Sequence, residues 1–496
     1  MIDHPSEHGK KQRNMKVCFV MGVGEMYKLM HLVAEEMIRR YGIDPKYLVF
    51  NEKMTNYLLD KGISDEKIVS LSEKTSFGSW KGEPVDEAFL KDVETRYGIP
   101  NLYLYWEAIR GGHESYDHYN AIKTLENIFK VYLDFIENET FDFSLMNLFP
   151  ASIPMMVMSS ILEQKGTSLY FLIPSRIENM FLITKGITDK YYRIDAFFDA
   201  LKKRALGKHE KDNAERFVEK YYQKEMYFST SEKAVYRKKD FDLARLKRGL
   251  LALIESYRYG THKKSHKKLS KWAPLYYSMQ RIKTIVRKQY LKKNKLFQGP
   301  IEGDKYVLFL LNKQPEASTF VKAAFYMDQR YLAEVIAKSL PIGYSVYVKP
   351  HHNDFGSWPL SYYKEMVCRP NIRMLKTYLN SQNLVKKSAA VVTISGTVGW
   401  EGIILGKPVI TFGRVFYNSF DQVMHVRDIT ELPNIFKKAI FDYKPDRELM
   451  LKYISAHIQG SYDGVPLSPI QTEGRSLEPE NINNIVNGIA KELSLE

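Results

Sequence analysis

The chain has 496 residues, with 73 Lys+Arg against 58 Asp+Glu and a formal net charge of +15. Its 44% hydrophobic and 26% charged residues are ordinary globular composition, which excludes a disordered or fibrous chain, and the length suits several domains with cores of their own. Two cysteines, Cys18 and Cys368, exclude a disulfide framework and a cysteine-based zinc site and suit a reducing cytosol.

In chain order, residues 1–14 are polar, lack the apolar core of a signal peptide and read as a flexible tail. An N-terminal domain is expected over 15–250. MKVCFV is a buried strand, Gly22 to Glu25 a tight loop, and Met26 to Tyr41 a helix by its periodicity. YLVFN (47–51) is a second strand. Further strands lie near 143–147 and 168–173, with a helix after Pro154. No apolar run reaches the roughly 18–20 residues of a membrane span; the longest, 148–162, is broken by Pro150 and Pro154. Alternation of strand and helix predicts an open parallel sheet. Residues 189–257 read as charged helices.

The net charge is local. Residues 256–301 hold 13 Lys or Arg and no Asp or Glu, leaving 60 basic and 58 acidic residues elsewhere. Trp272, Leu275, Tyr276, Met279, Ile282, Ile285, Val286 and Tyr290 are interleaved with these cations, several at helical spacing, which predicts a basic amphipathic helix in a connector over 251–300. Both a solvated link between domains and contact with an anionic membrane surface fit it. Nucleic acid is not expected, because no zinc-finger or RNP-type motif is present.

The second half repeats the α/β pattern over 301–475. KYVLFLL, YSVYVKP, a strand around 372–375, AVVTI and PVITFG alternate with helices, and a terminal helix closes the chain in 476–496. In open α/β sheets, ligands bind beyond the carboxyl ends of the strands. In ISGTVGWEG, Ser395, Gly396 and Thr397 sit where a strand becomes a helix and let backbone N–H groups and hydroxyls reach an anion; Glu401, one turn on, suits ribose hydroxyls. The plainer reading of these residues is a helix cap. Lys349, His351 and His352 leave one buried strand together and suit a phosphate; a metal on the adjacent histidines is not expected, since neighbouring side chains on extended backbone diverge. Gln314, Pro315 and Glu316 break another strand, with Ser318 and Thr319 able to cap the helix that follows.

In the first half, Gly22 and Gly24 form a close-approach loop with Glu25 beside it. A dinucleotide fingerprint fails because position 27 is Tyr27. Arg176 stands at a strand end, fit to hold a phosphate or carboxylate. Walker A, GxSxG and HExxH sequences are missing, and Asp240-Phe241-Asp242 reads as a solvated charged face rather than a metal motif.

QPEAST, AKSLP, YVKPHHN and NLVKKSAAVVTISGTVGWEGIILGKPVITFG, in this order over about 305–417, resemble the capsule polysaccharide biosynthesis family, which includes bacterial β-Kdo transferases. The resemblance implies an α/β GT-B-like fold: two Rossmann-like domains facing a cleft, with no essential metal and no cofactor. It implies a nucleotide-sugar donor held mostly by the C-terminal domain, with the family's positions falling on Gln314, Pro315, His351, Ser395, Gly396, Thr397 and Glu401; Lys349 and Glu316 join the expected donor site from the strand-end loops themselves. The family's His-Pro pair is His351-His352 here, a departure that touches loop geometry and donor identity. The expected function is transfer of a sugar, CMP-linked Kdo among the candidates, to a glycan or lipid-linked acceptor, at a cytoplasmic or peripheral membrane position. Glu25 is the expected base, with Asp117, His113 and Glu114 as alternatives. UDP-N-acetylglucosamine 2-epimerases, CDP-glycerol glycerophosphotransferases and a non-catalytic scaffold share enough of the pattern to stand as alternatives.

Overall fold

A computed structural model describes residues 15–22, 25–71, 83–106, 117–147, 152–186, 190–223, 273–314 and 316–495. Residues 1–14, Gly24, His113, Glu114, Asp240-Phe241-Asp242 and Pro315 lie outside these.

Among the described residues the chain forms two sheets of seven strands each. The first has the order β14-β6-β5-β4-β1-β2-β3, built from β1 (Lys16–Val20), β2 (Asp44–Val49), β3 (Ile68–Ser70), β4 (Phe143–Asn147), β5 (Ser168–Pro174), β6 (Met180–Lys185) and β14 (Tyr462–Asp463). Five strands pair in parallel, and at one edge β6 pairs antiparallel to β5 and β14 antiparallel to β6, additions to the open parallel sheet expected from the sequence. The cause is a short reversal at 175–179, with Asn179 in the left-handed region, a conformation a short polar side chain tolerates. Arg176 therefore sits in a hairpin turn.

The second sheet is parallel throughout, in the order β13-β12-β11-β8-β9-β10-β7. Its strands are β7 (Phe297–Gln298), β8 (Tyr306–Leu310), β9 (Ser345–Lys349), β10 (Ile372–Leu375), β11 (Ala390–Thr393), β12 (Val409–Thr411) and β13 (Val423–His425). Both faces are covered, so its strands are near-continuous apolar runs. Tyr306 and Tyr347 interrupt the apolar run. Their rings stack at 4.2 Å, and their hydroxyls donate to the Leu384 carbonyl and the Asp304 carboxylate, which offsets the cost of burying them.

The strand order reverses between β1 and β4 in the first sheet and between β8 and β11 in the second, where β7 is added beyond β10 at the far edge. Crevices at such switch points are where ligands bind. Among the described residues the two halves are tied together at several places, β14 in the first sheet among them. Helices Tyr192–Lys202 and Lys208–Tyr222, which the sequence assigns to the first half, pack into the core of the second sheet with Trp400, Tyr453 and Ile454. Helix Pro479–Leu493 returns to the first sheet, burying Ile482, Ile485 and Ile489 with Met30 and Val33, and Arg40 donates to Asn483 and Asn487. Val321, just beyond the β8 loop, belongs to the same apolar cluster as Trp106 and Met155 of the first half.

Among the described residues, no helix is long and apolar enough to cross a membrane, and no group of three or more His, Cys, Asp or Glu is placed to hold a metal ion.

Candidate active site at the carboxyl ends of the strands

At the switch point of the second sheet, β11 ends in a braced turn. The Gly396 N–H donates to Thr393 Oγ1 at 3.0 Å, and the buried Tyr417 hydroxyl donates to the Gly396 carbonyl. Thr397 begins helix Val398–Ile404 in helical geometry, and its side chain makes no cap hydrogen bond. The plainer reading, an ordinary hydroxyl cap, therefore does not describe Thr397. The turn depends on close approach: a Cβ on Gly399 would stand 2.3 Å from Tyr417 Oη, and Tyr417 is fully enclosed. Gly399→Ala is expected to drive Tyr417 off Gly396, costing about 1–3 kcal/mol of stability and most of the ligand affinity of the turn. Nucleotide titration of the folded variant checks this, with Tyr417→Phe, which loses only the hydrogen bond, as the milder comparison.

Across the switch point stands Asn312, a residue the sequence reading passed over in favour of Gln314. Its N–H donates to Gln329 Oε1 and its carbonyl accepts from Gln329 Nε2, which fixes its backbone. Its side-chain Oδ1 is buried without a hydrogen-bond partner and lies 3.8 Å from where a Cβ on Gly396 would be. A buried polar atom left unmatched beside a braced turn makes Asn312 a candidate ligand contact. Gln314 has an architectural part instead: Nε2 donates to the Met327 carbonyl at 2.7 Å, and its backbone N–H serves the Asp354 carboxylate. Glu316 pairs with Lys313 at 3.1 Å.

Lys349, a buried residue, closes β9, and its ammonium donates to Ser381 Oγ at 3.1 Å. Two residues on, the Asn353 N–H donates to His351 Nδ1 at 3.3 Å. Burial, helped by the charges of His352, Lys313 and Lys349, holds His351 down to about 4, so the imidazole is neutral near pH 7. Because Nδ1 is the acceptor, the proton resides on Nε2, which leaves an N–H donor for an anion. His352 stacks on His351 with ring centroids 4.6 Å apart, so the two side chains do not diverge as extended backbone would make them, because the chain turns just after β9.

Glu401 is buried, and its Oε2 accepts the Tyr221 hydroxyl at 2.9 Å. Tyr221 arrives on helix Lys208–Tyr222, whose terminal carbonyl at Tyr221 also accepts from Gln382 Nε2. Sequence spacing had no means of showing that this carboxylate is met by a tyrosine 180 residues upstream. Arg176 likewise reaches over from the first half: its guanidinium lies 5.6 Å from the Phe416 ring centre, and its charge bears on Tyr417 and His457. The structure thus brings Arg176 to the wall behind the Ser395–Gly396–Thr397 turn.

That wall is aromatic. Trp400, Phe416 and Tyr453 surround His457, whose ring centre lies 4.7 Å from Trp400 and 4.8 Å from Tyr453. His457 is fully buried, with neither ring nitrogen hydrogen-bonded, and burial, aided by Arg176, pushes it down to about 3. The folded pKa lies below the unfolded one, so the unfolded chain binds the proton first, and stability is lost as pH falls from about 6.5 toward 3. At about pH 5 that loss is roughly 2 kcal/mol. His457→Phe is expected to remove this part of the acid sensitivity, measured as the change in urea midpoint between neutral pH and pH 5.

On the first sheet, Gly22 follows β1 at its switch point. A Cβ there would meet the Met26 side chain at 3.0 Å and the Asn147 carbonyl at 3.8 Å. Asn147 ends β4, buried, with both side-chain amide atoms unpartnered. Glu25 precedes helix Met26–Tyr41 without capping it. Its carboxylate is paired with Lys28 and with Lys53, the latter at 3.3 Å. Burial raises its pKa, but the two lysines together outweigh burial and the net shift is downward. Asp117 has a different position: its Oδ1 caps helix His118–Asn138 by accepting the Asn120 N–H at 2.8 Å.

Comparison with known proteins bears on the same region. The chain is 34% identical over 85 residues to Protein FixF of Sinorhizobium fredii, a match covering 17% of this chain and 20% of that relative. Among solved structures it resembles the Thermosulfurimonas dismutans KpsC β-Kdo 2,7 transferase, at 12% identity and a TM-score of 0.34, covering 66% of this chain and 80% of the other. It also resembles the UDP-GlcNAc 2-epimerase of Methanocaldococcus jannaschii, at 11% identity and a TM-score of 0.25, covering 90% and 98% of the two chains. Residues 219–462 match the family described as capsule polysaccharide biosynthesis protein. That stretch, just under half of the chain, holds every strand of the second sheet together with Asn312, Lys349, His351, the Ser395–Thr397 turn and Glu401, and it is this part of the chain that is similar to the capsule polysaccharide biosynthesis family.

Proposed function

We propose that the protein is a glycosyltransferase of capsular or surface polysaccharide synthesis, taking a nucleotide-activated sugar at the second sheet and an acceptor hydroxyl at the first. One observation carries this reading: an anion-suited set at the second switch point (Lys349, neutral His351, the Tyr417-braced Ser395–Thr397 turn) is met from the first half by Arg176 and Tyr221.

In the transfer, the acceptor oxygen bonds to the anomeric carbon as the bond from that carbon to the donor phosphate breaks. The acceptor proton passes to the Glu25 carboxylate, which is ionised and therefore able to receive it. The leaving nucleotide phosphate gains negative charge, and the Lys349 ammonium, His351 Nε2–H and the Ser395 and Thr397 hydroxyls supply fixed donors for it. Asn312 Oδ1 accepts from the base or sugar, and Glu401 reaches a ribose hydroxyl by sharing or exchanging its bond from Tyr221. Gln314 and Glu316 keep the β8 loop in place around the donor, and Gly22 admits the acceptor beside Glu25.

A CMP-linked donor carrying an acidic sugar such as Kdo is favoured by the family resemblance alone, since the cations at the site suit any donor phosphate. The acceptor is a glycan or lipid-linked glycan, encountered at the cytoplasmic face of a membrane. A thermal-shift screen against CMP, CDP, UDP, GDP and their sugar conjugates tests the donor, since a ligand of the folded state raises the melting temperature by mass action. A CMP-selective rise that disappears in Ser395→Ala/His351→Ala is the expected result. A UDP- or GDP-selective rise overturns the CMP assignment, and no rise with any nucleotide overturns the donor site.

A further inference from the structure

Helix Ala273–Lys292 is turned the wrong way round for a helix on a globular protein. Its attached side is mostly polar. Gly356, at φ +96°, leaves no space for a side chain, because a Cβ would lie 2.9 Å from both Lys288 Cβ and the Thr284 carbonyl. Arg287 donates to the Ser357 carbonyl at 2.6 Å, and Leu291 is fully buried in the core that holds Phe297 and Phe355. Thr284, Arg287, Lys288 and Leu291 thus form one face at i, i+3, i+4 and i+7.

The opposite face is apolar. Met279, Ile282, Val286 and Tyr290 follow at spacings of three, four and four, with Ile285 beside them, and all five are between 51% and 63% exposed. A helix normally points such a stripe at the core, and a contiguous exposed stripe of this kind marks an interaction surface. Exposed Lys283 and Lys292 flank it, with Lys293 and Lys295 just beyond, in a stretch of 13 cations and no acidic residue.

We infer that this face docks the protein on an anionic phospholipid bilayer: the aliphatic stripe enters the headgroup–acyl boundary while the lysines meet lipid phosphates. Charge complementarity selects this occupant. A second copy would bring one uncompensated basic fringe against another, and a nucleic acid would find aliphatic side chains where it needs hydrogen-bonding groups. The inference rests on the membrane-facing part of the reading above and gives it a location. The helix is seated on Gly356 and Ser357, in the same loop as His351, so docking sets the donor loop close to the lipid surface.

Flotation of the full chain with vesicles of phosphatidylcholine alone, or mixed with phosphatidylglycerol, tests this. The wild type is expected to float with the mixed vesicles and not with phosphatidylcholine alone. Ile282→Asn/Val286→Asn and, separately, Lys283→Glu/Lys292→Glu are expected to lower the bound fraction at least about tenfold, with unchanged melting curves by circular dichroism. Failure of the wild type to float, or undiminished flotation of both variants, overturns the inference. So does a concentration-dependent dimer that the Ile282/Val286 variant abolishes, which would give the face to a second copy. Flotation needs no donor, so its failure leaves sugar transfer standing, and absence of transfer to a soluble acceptor leaves the flotation result intact.

Discussion

Glu25→Gln is expected to reduce kcat by about 10²–10⁴-fold with donor affinity nearly unchanged, because the amide keeps the shape of the side chain but has no capacity to receive the acceptor proton. Lys28 and Lys53 make this more than a deletion test. They outweigh the effect of burial and hold the carboxyl below its ordinary range. A base works ionised, so activity persists above its pKa and is lost as pH falls through it; the acid limb of kcat/KM therefore lies below the usual carboxylate range. Lys53→Met removes one of the two charges and is expected to move that limb upward. An unchanged limb, or turnover intact in Glu25→Gln, would show that the carboxylate only holds its helix end in place.

The second large effect is expected at His351. Loss of an electrostatic donor aimed at a leaving group typically costs about 10²–10³ in rate, so His351→Ala is expected to lower kcat/KM on that scale. His351→Gln restores an N–H donor and is expected to recover part of the loss. The imidazole is held down to about 4, so it is neutral at pH 6 as at pH 8, and the rate is expected to show no inflection from this residue across that range. An inflection near pH 6.5 that vanishes in His351→Gln would mean a protonated imidazole is the working form, contrary to the Asn353 N–H that occupies Nδ1.

The second sheet was legible because its chemistry is local. KYVLFLL, YSVYVKP and AVVTI are short apolar runs ended by polar, Pro or Gly residues, and each is followed within eight positions by its chemistry-bearing residues. The turn at Ser395, Gly396 and Thr397 could be read for the same reason. What the sequence withheld is what the fold brings from far away: Tyr221 on Glu401, Tyr417 on the Gly396 carbonyl, and Arg176 over Phe416. Asn312 was missed beside a more conspicuous Gln-Pro pair, and only its buried, unpartnered oxygen distinguishes it. In the first half the antiparallel β6 and β14 escaped, since a two-residue edge strand contributed from position 462 has no periodicity to detect. The basic helix was visible as composition, but which of its faces is attached emerged only from Gly356 and Leu291.

The most direct measurement is the mass of a soluble glycan acceptor after incubation with the protein and a panel of nucleotide sugars, with free nucleotide quantified in the same reaction. The expected result is an acceptor heavier by one sugar residue, one nucleotide released per transfer, and neither product formed by Glu25→Gln. A donor sugar changed in configuration while the acceptor mass stays constant would contradict transfer and make the protein an epimerase. A panel left wholly unconsumed, although a nucleotide binds, would contradict catalysis itself.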